Sequence, residues 1–132
     1  MGAGTTTRLE SRSSDRIRDS HMSRGKGPED QLLDFVLDAA RTFRWRVAHF
    51  RGVRTVRPDG SVRYLTPVQA DGKGFPDLVL VRDRIVFAEL KGHKYRKLEP
   101  EQIRWREDIE GAGGEYHLWY PEDRDKIIDV LR

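Results

Sequence analysis

The chain contains no cysteine among its 132 residues. Disulfides, zinc-thiolate centres and thiol nucleophiles are thereby excluded, and a reducing compartment is compatible. No apolar run approaches the length of a membrane span or of the apolar stretch of a secretion signal, so a soluble, intracellular chain with no membrane partner is expected. Internal repeats are absent too. There is also little excess of either charge: 25 Lys and Arg against 22 Asp and Glu leave +3 at pH 7. Residues 1–28 hold six bases and three acids, which alone give that +3, and from Glu29 onward 19 bases meet 19 acids. A global argument for a polyanionic partner therefore fails, but a local one survives. Residues 41–63 carry seven arginines and one acid, and residues 91–106 six bases and two acids. Segments of this kind can engage phosphate, or be solvated faces balanced by the acidic helices.

At 36% hydrophobic content the chain can build one domain around one core. Residues 1–27 are rich in Ser, Thr, Arg, Gly and Asp and are expected to form a disordered tail. His21-Met22 has the look of a cloning junction, which makes Met22 a candidate native start, with the residues before it vector-derived or upstream read-through. The folded domain is expected over 28–132.

Within that domain the informative feature is charge placed where apolar residues should be. Arg84 to Lys91 reads as a strand, and alternation puts Ile85, Phe87, Glu89 and Lys91 on one face. Two charged groups thus extend an apolar line, where burial is costly unless they pair or bind an ion. Leu78 to Val81 reads as the preceding strand, with a tight turn around Arg82-Asp83. Antiparallel pairing across so short a turn brings Asp77, in Gly74-Phe75-Pro76-Asp77, beside Glu89. Hard oxygen ligands with room for water and phosphate suit Mg²⁺ or Mn²⁺. A bare Glu-x-Lys is common on solvated hairpins; its combination with Gly-x-Pro-Asp at the mouth of the partner strand is much rarer.

Two helices bear on the same site. Over Pro28 to Phe43, a helical period places Leu32, Leu33, Val36, Ala40 and Phe43 on one stripe, with Glu29 on that stripe and Asp30, Asp34, Asp38 and Arg41 opposite. Glu29 is either a first-turn acid favoured by the helix dipole or a third carboxylate aimed inward. A second helix begins near Pro100 and stops at Gly111-Ala112-Gly113-Gly114, with Gln102, Trp105 and Ile109 on one face. Gln102 can close a capping box, point into the site, or do both. Trp45 to Phe50 and Glu115 to Trp119 read as the first and last core strands, and Glu122 to Leu131 as a terminal helix. His49 either orients substrate or sits satisfied in the core, as is expected of His117.

These motifs together resemble the VRR-NUC (virus-type replication-repair nuclease) branch of the PD-(D/E)XK superfamily, in its stand-alone phage and bacterial form. Glu29 matches the first-helix acid, Trp45 and His49 a Trp-to-His strand, Gly74 to Asp77 the Gly-x-Pro-Asp, Glu89-Leu90-Lys91 the Glu-x-Lys, and Pro100-Glu101-Gln102 the Pro-x-Gln. The resemblance implies an α/β, restriction-endonuclease-like αβββαβ core: a mixed central sheet flanked by helices. It implies a DNA phosphodiesterase with Asp77, Glu89, Lys91, Gln102 and Glu29 as catalytic residues. Asp77, Glu89 and the Leu90 carbonyl would hold the metal, with Glu29 reaching it through water. It also implies a homodimer acting on branched DNA such as a Holliday junction in replication, recombination or repair, in the cytoplasm at the nucleoid or in a host cytoplasm. The alternatives are a DNA-binding module without turnover and a nuclease for linear ends or RNA.

Two departures accompany the match. Residues 54–65 interrupt the family pattern, and Asp59-Gly60 between alternating segments reads as an inserted β-hairpin. Leu33 stands where a glutamine often follows the helix acid. Candidate DNA contacts are Arg51, Arg54, Arg57, Arg63 and Lys73, and the loop Lys94, Tyr95, Arg96 and Lys97. The hairpin arginines have a second reading, as charges that keep an exposed ribbon soluble.

Overall fold

The computed structural model describes residues 26–50, 53–65 and 69–132, with the backbone alone for 53–55 and 63–65. Most of the tail expected over 1–27 lies outside the described residues. Helix α1 (Pro28–Thr42) opens on Pro28 at its first turn, where a missing N–H costs nothing, with Glu29 and Asp30 beside it. Strand β1 (Arg46–His49) follows, then β2 (Val53–Val56), β3 (Val62–Leu65), β4 (Leu78–Val81), β5 (Ile85–Leu90), α2 (Pro100–Gly111), β6 (Glu115–Trp119) and α3 (Arg124–Leu131).

The main sheet has the order β1-β4-β5-β6, with β1/β4 and β4/β5 antiparallel and β5/β6 parallel. A short turn joins β4 to β5, and the chain returns from β1 to β4 through the long excursion that carries β2 and β3, whereas α2 supplies the crossover that the parallel pair requires. Alternation along β5 divides the molecule. Val86, Ala88 and Leu90 join Leu78, Leu80, Leu32, Val36, Ala40, Ile127 and Leu131 in the core between sheet, α1 and α3. The opposite face, bearing Phe87 and Glu89, is covered by α2. The α1 stripe differs from expectation in that Ala39 is buried, while Leu33 and Phe43 only pack against the core.

At the end of the sheet away from Asp77, Trp45 is 6% exposed and donates its indole N–H to the Leu131 carbonyl at 2.8 Å. Arg82 and Arg84 lie over its ring at 4.6 and 5.1 Å. Their guanidinium groups donate to the carbonyls of Phe43, Leu131 and Val130 at 3.0, 3.1 and 2.8 Å. The β4–β5 turn thus satisfies the last carbonyls of α3, which no helical N–H can reach. The terminal helix starts at Arg124 rather than Glu122. Pro121–Asp123 tightens into a 3-10 turn, and Asp123 accepts the Tyr120 N–H at 2.8 Å.

The inserted hairpin forms as expected, with Val53 opposite Leu65 and Val56 opposite Val62 in a separate two-stranded sheet. Gly60 takes φ +89° in its turn, and Asp59 caps Ser61 at 2.9 Å. Val56 and Val62, beside the turn of this ribbon, are exposed.

Gly74 has φ +83°, and a Cβ there would stand 2.6 Å from the Glu101 carbonyl carbon. The loop leading to Asp77 therefore rests directly on the first turn of α2. Gly113 has φ +89° with open space around it. Gly113→Ala should cost about 1–2 kcal/mol for the left-handed backbone alone. Gly74→Ala should cost about 3 kcal/mol, because overpacking against helix backbone is added. Chemical denaturation giving equal losses for the two would deny the close approach.

Candidate active site

The β4–β5 turn is closed by Arg82 N–H donating to the Arg84 carbonyl at 3.1 Å, and the last ladder pair is Leu78 with Ala88. One step further, Asp77 stands beside Glu89. Its Oδ2 accepts the Leu90 N–H at 2.9 Å, and its backbone carbonyl accepts the Phe50 N–H at 2.9 Å. The aspartate is thereby fixed between β1 and β5. Glu89 and Lys91 are only 3% and 5% exposed, so the charges on the apolar line are indeed buried.

Gln102 resolves most of that burial. Its Nε2 donates to Glu89 Oε2 at 2.9 Å, while its Oε1 accepts from Lys91 Nζ at 3.0 Å and from the Glu99 N–H at 2.7 Å. One side chain closes the start of α2 and couples the acid to the ammonium, so both roles considered for it are filled. The opposite amide orientation would set oxygen against carboxylate and NH₂ against two donors. Lys91 Nζ lies 3.7 Å from Glu89 Oε2. Glu89 Oε1 remains buried without a hydrogen-bond partner.

Electrostatics follow from this crowding. Burial first, then the Asp77 charge, pushes Glu89 from an ordinary 4.5 to about 8, against the pull of Lys91. Burial also raises Asp77, opposed by the Leu90 N–H, His49 and Lys91. Two carboxylates and one buried ammonium leave a negative charge in excess, which a proton or a cation must balance.

Glu29 is solvent-exposed at the rim rather than aimed into the core. The reason is its place on the first turn of α1, beyond the last core residue, Leu32. Its carboxyl is still part of the site's field: partial desolvation and then Asp77 raise its pKa, while Lys91 and Arg96 lower it. His49, on the exposed edge strand β1, contributes attraction to Asp77 instead of filling the core. His117 is half-buried, bonded to Glu115 at 2.8 Å and stacked on Trp119.

Sequence reasoning passed over two contributors. Phe75 meets Phe50, Phe87 and Trp105 edge-to-face at 5.4, 6.1 and 4.9 Å, and Trp105 donates to the Asp71 carbonyl at 3.0 Å. This cluster ties the Asp77 loop to α2. Tyr116, in register with Phe87, is buried near Glu89 and Asp77, and burial raises its phenol pKa. The period-two pattern of β6 could have revealed it; nothing in the motif spacing marks Phe75.

Of the expected phosphate contacts, Arg57, Lys94, Tyr95, Arg96 and Lys97 are exposed, and Lys73 lines a cleft of about 420 Å³ that reaches Gln102. Arg51 lies outside the described residues, as do the side chains of Arg54 and Arg63.

Among the described residues no group of three or more His, Asp or Glu side chains converges as a ready-made metal cage. The donor set nevertheless fits a hard divalent cation. Mg²⁺ typically takes one or two carboxylates and completes its shell with water and substrate oxygens. Glu89 Oε1 is a buried acceptor left for such an ion.

No family model matches the sequence, and no curated protein matches it. Among solved structures, one described as "VRR_NUC domain" superposes with a TM-score of 0.58 at 19% identity, covering 80% of this chain and 99% of that one. The chain is thus similar in fold to a VRR_NUC domain: an α/β, restriction-endonuclease-like mixed sheet with flanking helices, as its motifs implied. Among the described residues, no helix is long and apolar enough to cross a membrane.

The buried acid gives stability a defined pH dependence. Between 4.5 and about 8, folded Glu89 holds a proton that the unfolded chain has released. Its contribution is complete below the lower value and lost as pH rises through the upper one. In chelator, Glu89→Gln should therefore gain stability relative to the parent as pH rises, by on the order of a few kcal/mol. A difference in melting that is flat across this range would contradict a protonated Glu89.

Proposed function

We propose that the protein is a divalent-metal-dependent nuclease that hydrolyses phosphodiester bonds in DNA. The observation that carries this reading is the buried Glu89–Lys91 pair, bridged by Gln102 beside Asp77, with one glutamate oxygen unpartnered. A purely structural role would favour an apolar replacement, since a buried ion pair seldom repays its desolvation. The fold likeness to a VRR_NUC domain supports the same class.

Asp77, Glu89 and the Leu90 carbonyl are the groups to hold Mg²⁺ or Mn²⁺, with Glu29 acting through water. The bound ion would supply Lewis acidity at the scissile phosphate and a water of lowered pKa. Lys91 positions the attacking water and neutralises charge that develops on the phosphoryl oxygens. Gln102 holds Lys91 and Glu89 in register, so that neither reorganises during attack. His49, at the exposed edge, orients the substrate strand. Arg51, Arg54, Arg57, Arg63, Lys73 and the 94–97 loop contact flanking phosphates. A homodimer would present two sites to the two strands of a branched DNA, in the cytoplasm at the nucleoid or in a host cytoplasm.

Labelled linear, nicked, flapped and branched DNAs incubated with Mg²⁺, Mn²⁺ or EDTA test the activity and its preference. Asp77→Asn should abolish cleavage and leave DNA binding intact or tighter, because repulsion of phosphate falls. Near-normal turnover by that variant would refute the metal assignment; binding without turnover by the parent chain would identify a binding module instead.

The hairpin arginines give a second expectation. Replacing Arg54, Arg57 and Arg63 together should weaken DNA binding and reduce its log-log salt slope by about one unit per lost phosphate contact. Melting should barely move, since a two-stranded ribbon adds little to the core. An unchanged slope would remove the ribbon from the DNA interface.

A further inference from the structure

The loop that follows Lys91 is tied at its base by two hydrogen bonds. Gly92 lies against the first turn of α1, where an added Cβ would meet the Glu29 Cβ at 3.5 Å. The His93 carbonyl accepts the Arg96 N–H at 3.0 Å, closing a turn over 93–96. The Arg96 carbonyl in turn accepts the Tyr120 hydroxyl at 2.8 Å. These contacts fix the base of the loop and leave Lys94 and Tyr95 at its tip.

Tyr95 is 76% exposed, more than any other large hydrophobic side chain described. Lys94 Nζ stands 5.4 Å from its ring centroid, and the His93 ring 6.2 Å away at a 54° tilt. Arg96 and Lys97, the next two residues, are exposed bases. A ring held in water on a pinned turn, among positive charges, offers a π face to a partner that is both planar and anionic. A nucleic-acid strand has that chemistry, through an unpaired base and its phosphates. Tyr95 lies four positions after Lys91, a reach of at most about 14 Å. That is roughly four base steps along a strand. A base inside continuous duplex is already stacked on both faces and has none to give.

Resting on the nuclease reading above, we propose that Tyr95 stacks on an unpaired nucleobase of the strand whose phosphate occupies the Asp77–Glu89–Lys91 site. It thereby makes the protein favour DNA with unpaired bases beside the cut over continuous duplex. Tyr95 is a specificity contact and does not touch the reacting atoms.

The test compares binding, by fluorescence anisotropy in EDTA, to a short duplex and to the same duplex carrying an unpaired bulge. The parent chain should prefer the bulged DNA. Tyr95→Ala should lose about 5- to 150-fold on the bulge, the usual stacking contribution converted at tenfold per 1.4 kcal/mol, and several-fold less than that on the duplex, so that the parent preference collapses. Tyr95→Phe should keep most of the preference, because the ring face is preserved. An alanine variant that retains the parent preference, or loses equally on both DNAs, overturns the inference while leaving the nuclease reading intact if the parent still cleaves with Mg²⁺. A parent chain that neither binds nor cleaves either DNA overturns both.

Discussion

The structure is organised around the burial of Glu89 and Lys91. Neither residue can be taken from water without a partner, and their separation of 3.7 Å answers only part of that demand. The remainder falls to Gln102, which gives hydrogen bonds of opposite sense to the two groups. Because Gln102 also closes the start of α2, the helix cannot move without uncovering the charges, nor can the charges move without fraying the helix. Gly74 and the Phe75 ring cluster belong to the same constraint, since they hold the Asp77 loop against that first turn.

The sheet's mixed topology provides the geometry. Antiparallel pairing of β4 and β5 sets Asp77 beside Glu89, whereas the parallel pairing of β5 and β6 requires a crossover, and that crossover is α2. The helix that carries Gln102 over the site is the connection the topology demands. Two faces of one strand therefore serve different ends. Val86, Ala88 and Leu90 anchor the core, while Glu89 and Lys91 hold charge in a partly covered cleft.

Much of this could be read from the sequence, because period-two alternation and a short turn fix register with little freedom. The β4–β5 hairpin, the inward aim of Gln102 and the inserted ribbon all follow from such local rules. Glu29 was harder to judge. A helical period assigned it to the apolar stripe, but one turn beyond Leu32 the stripe has left the core and reached the rim. Ala39 and Phe75 were hidden for a different reason. Their importance comes from contacts between distant segments, which no local pattern records. The end of α1 and the start of α3 shifted slightly, as expected where turns compete with helical bonds.

The Phe50 N–H to Asp77 carbonyl bond closes the whole excursion that contains the ribbon. The chain leaves and rejoins the sheet at adjacent points, so the hairpin portion of the excursion can lengthen or shorten without shifting either end, while Asp71 to Phe75 stay held against α2. Loop closure grows only by about 0.6 kcal/mol for each doubling of length. Insertion at this point is nearly neutral for the scaffold, yet it emerges next to the carboxylates. A ribbon carried there begins at the mouth of the site while taking no part in the sheet that builds it.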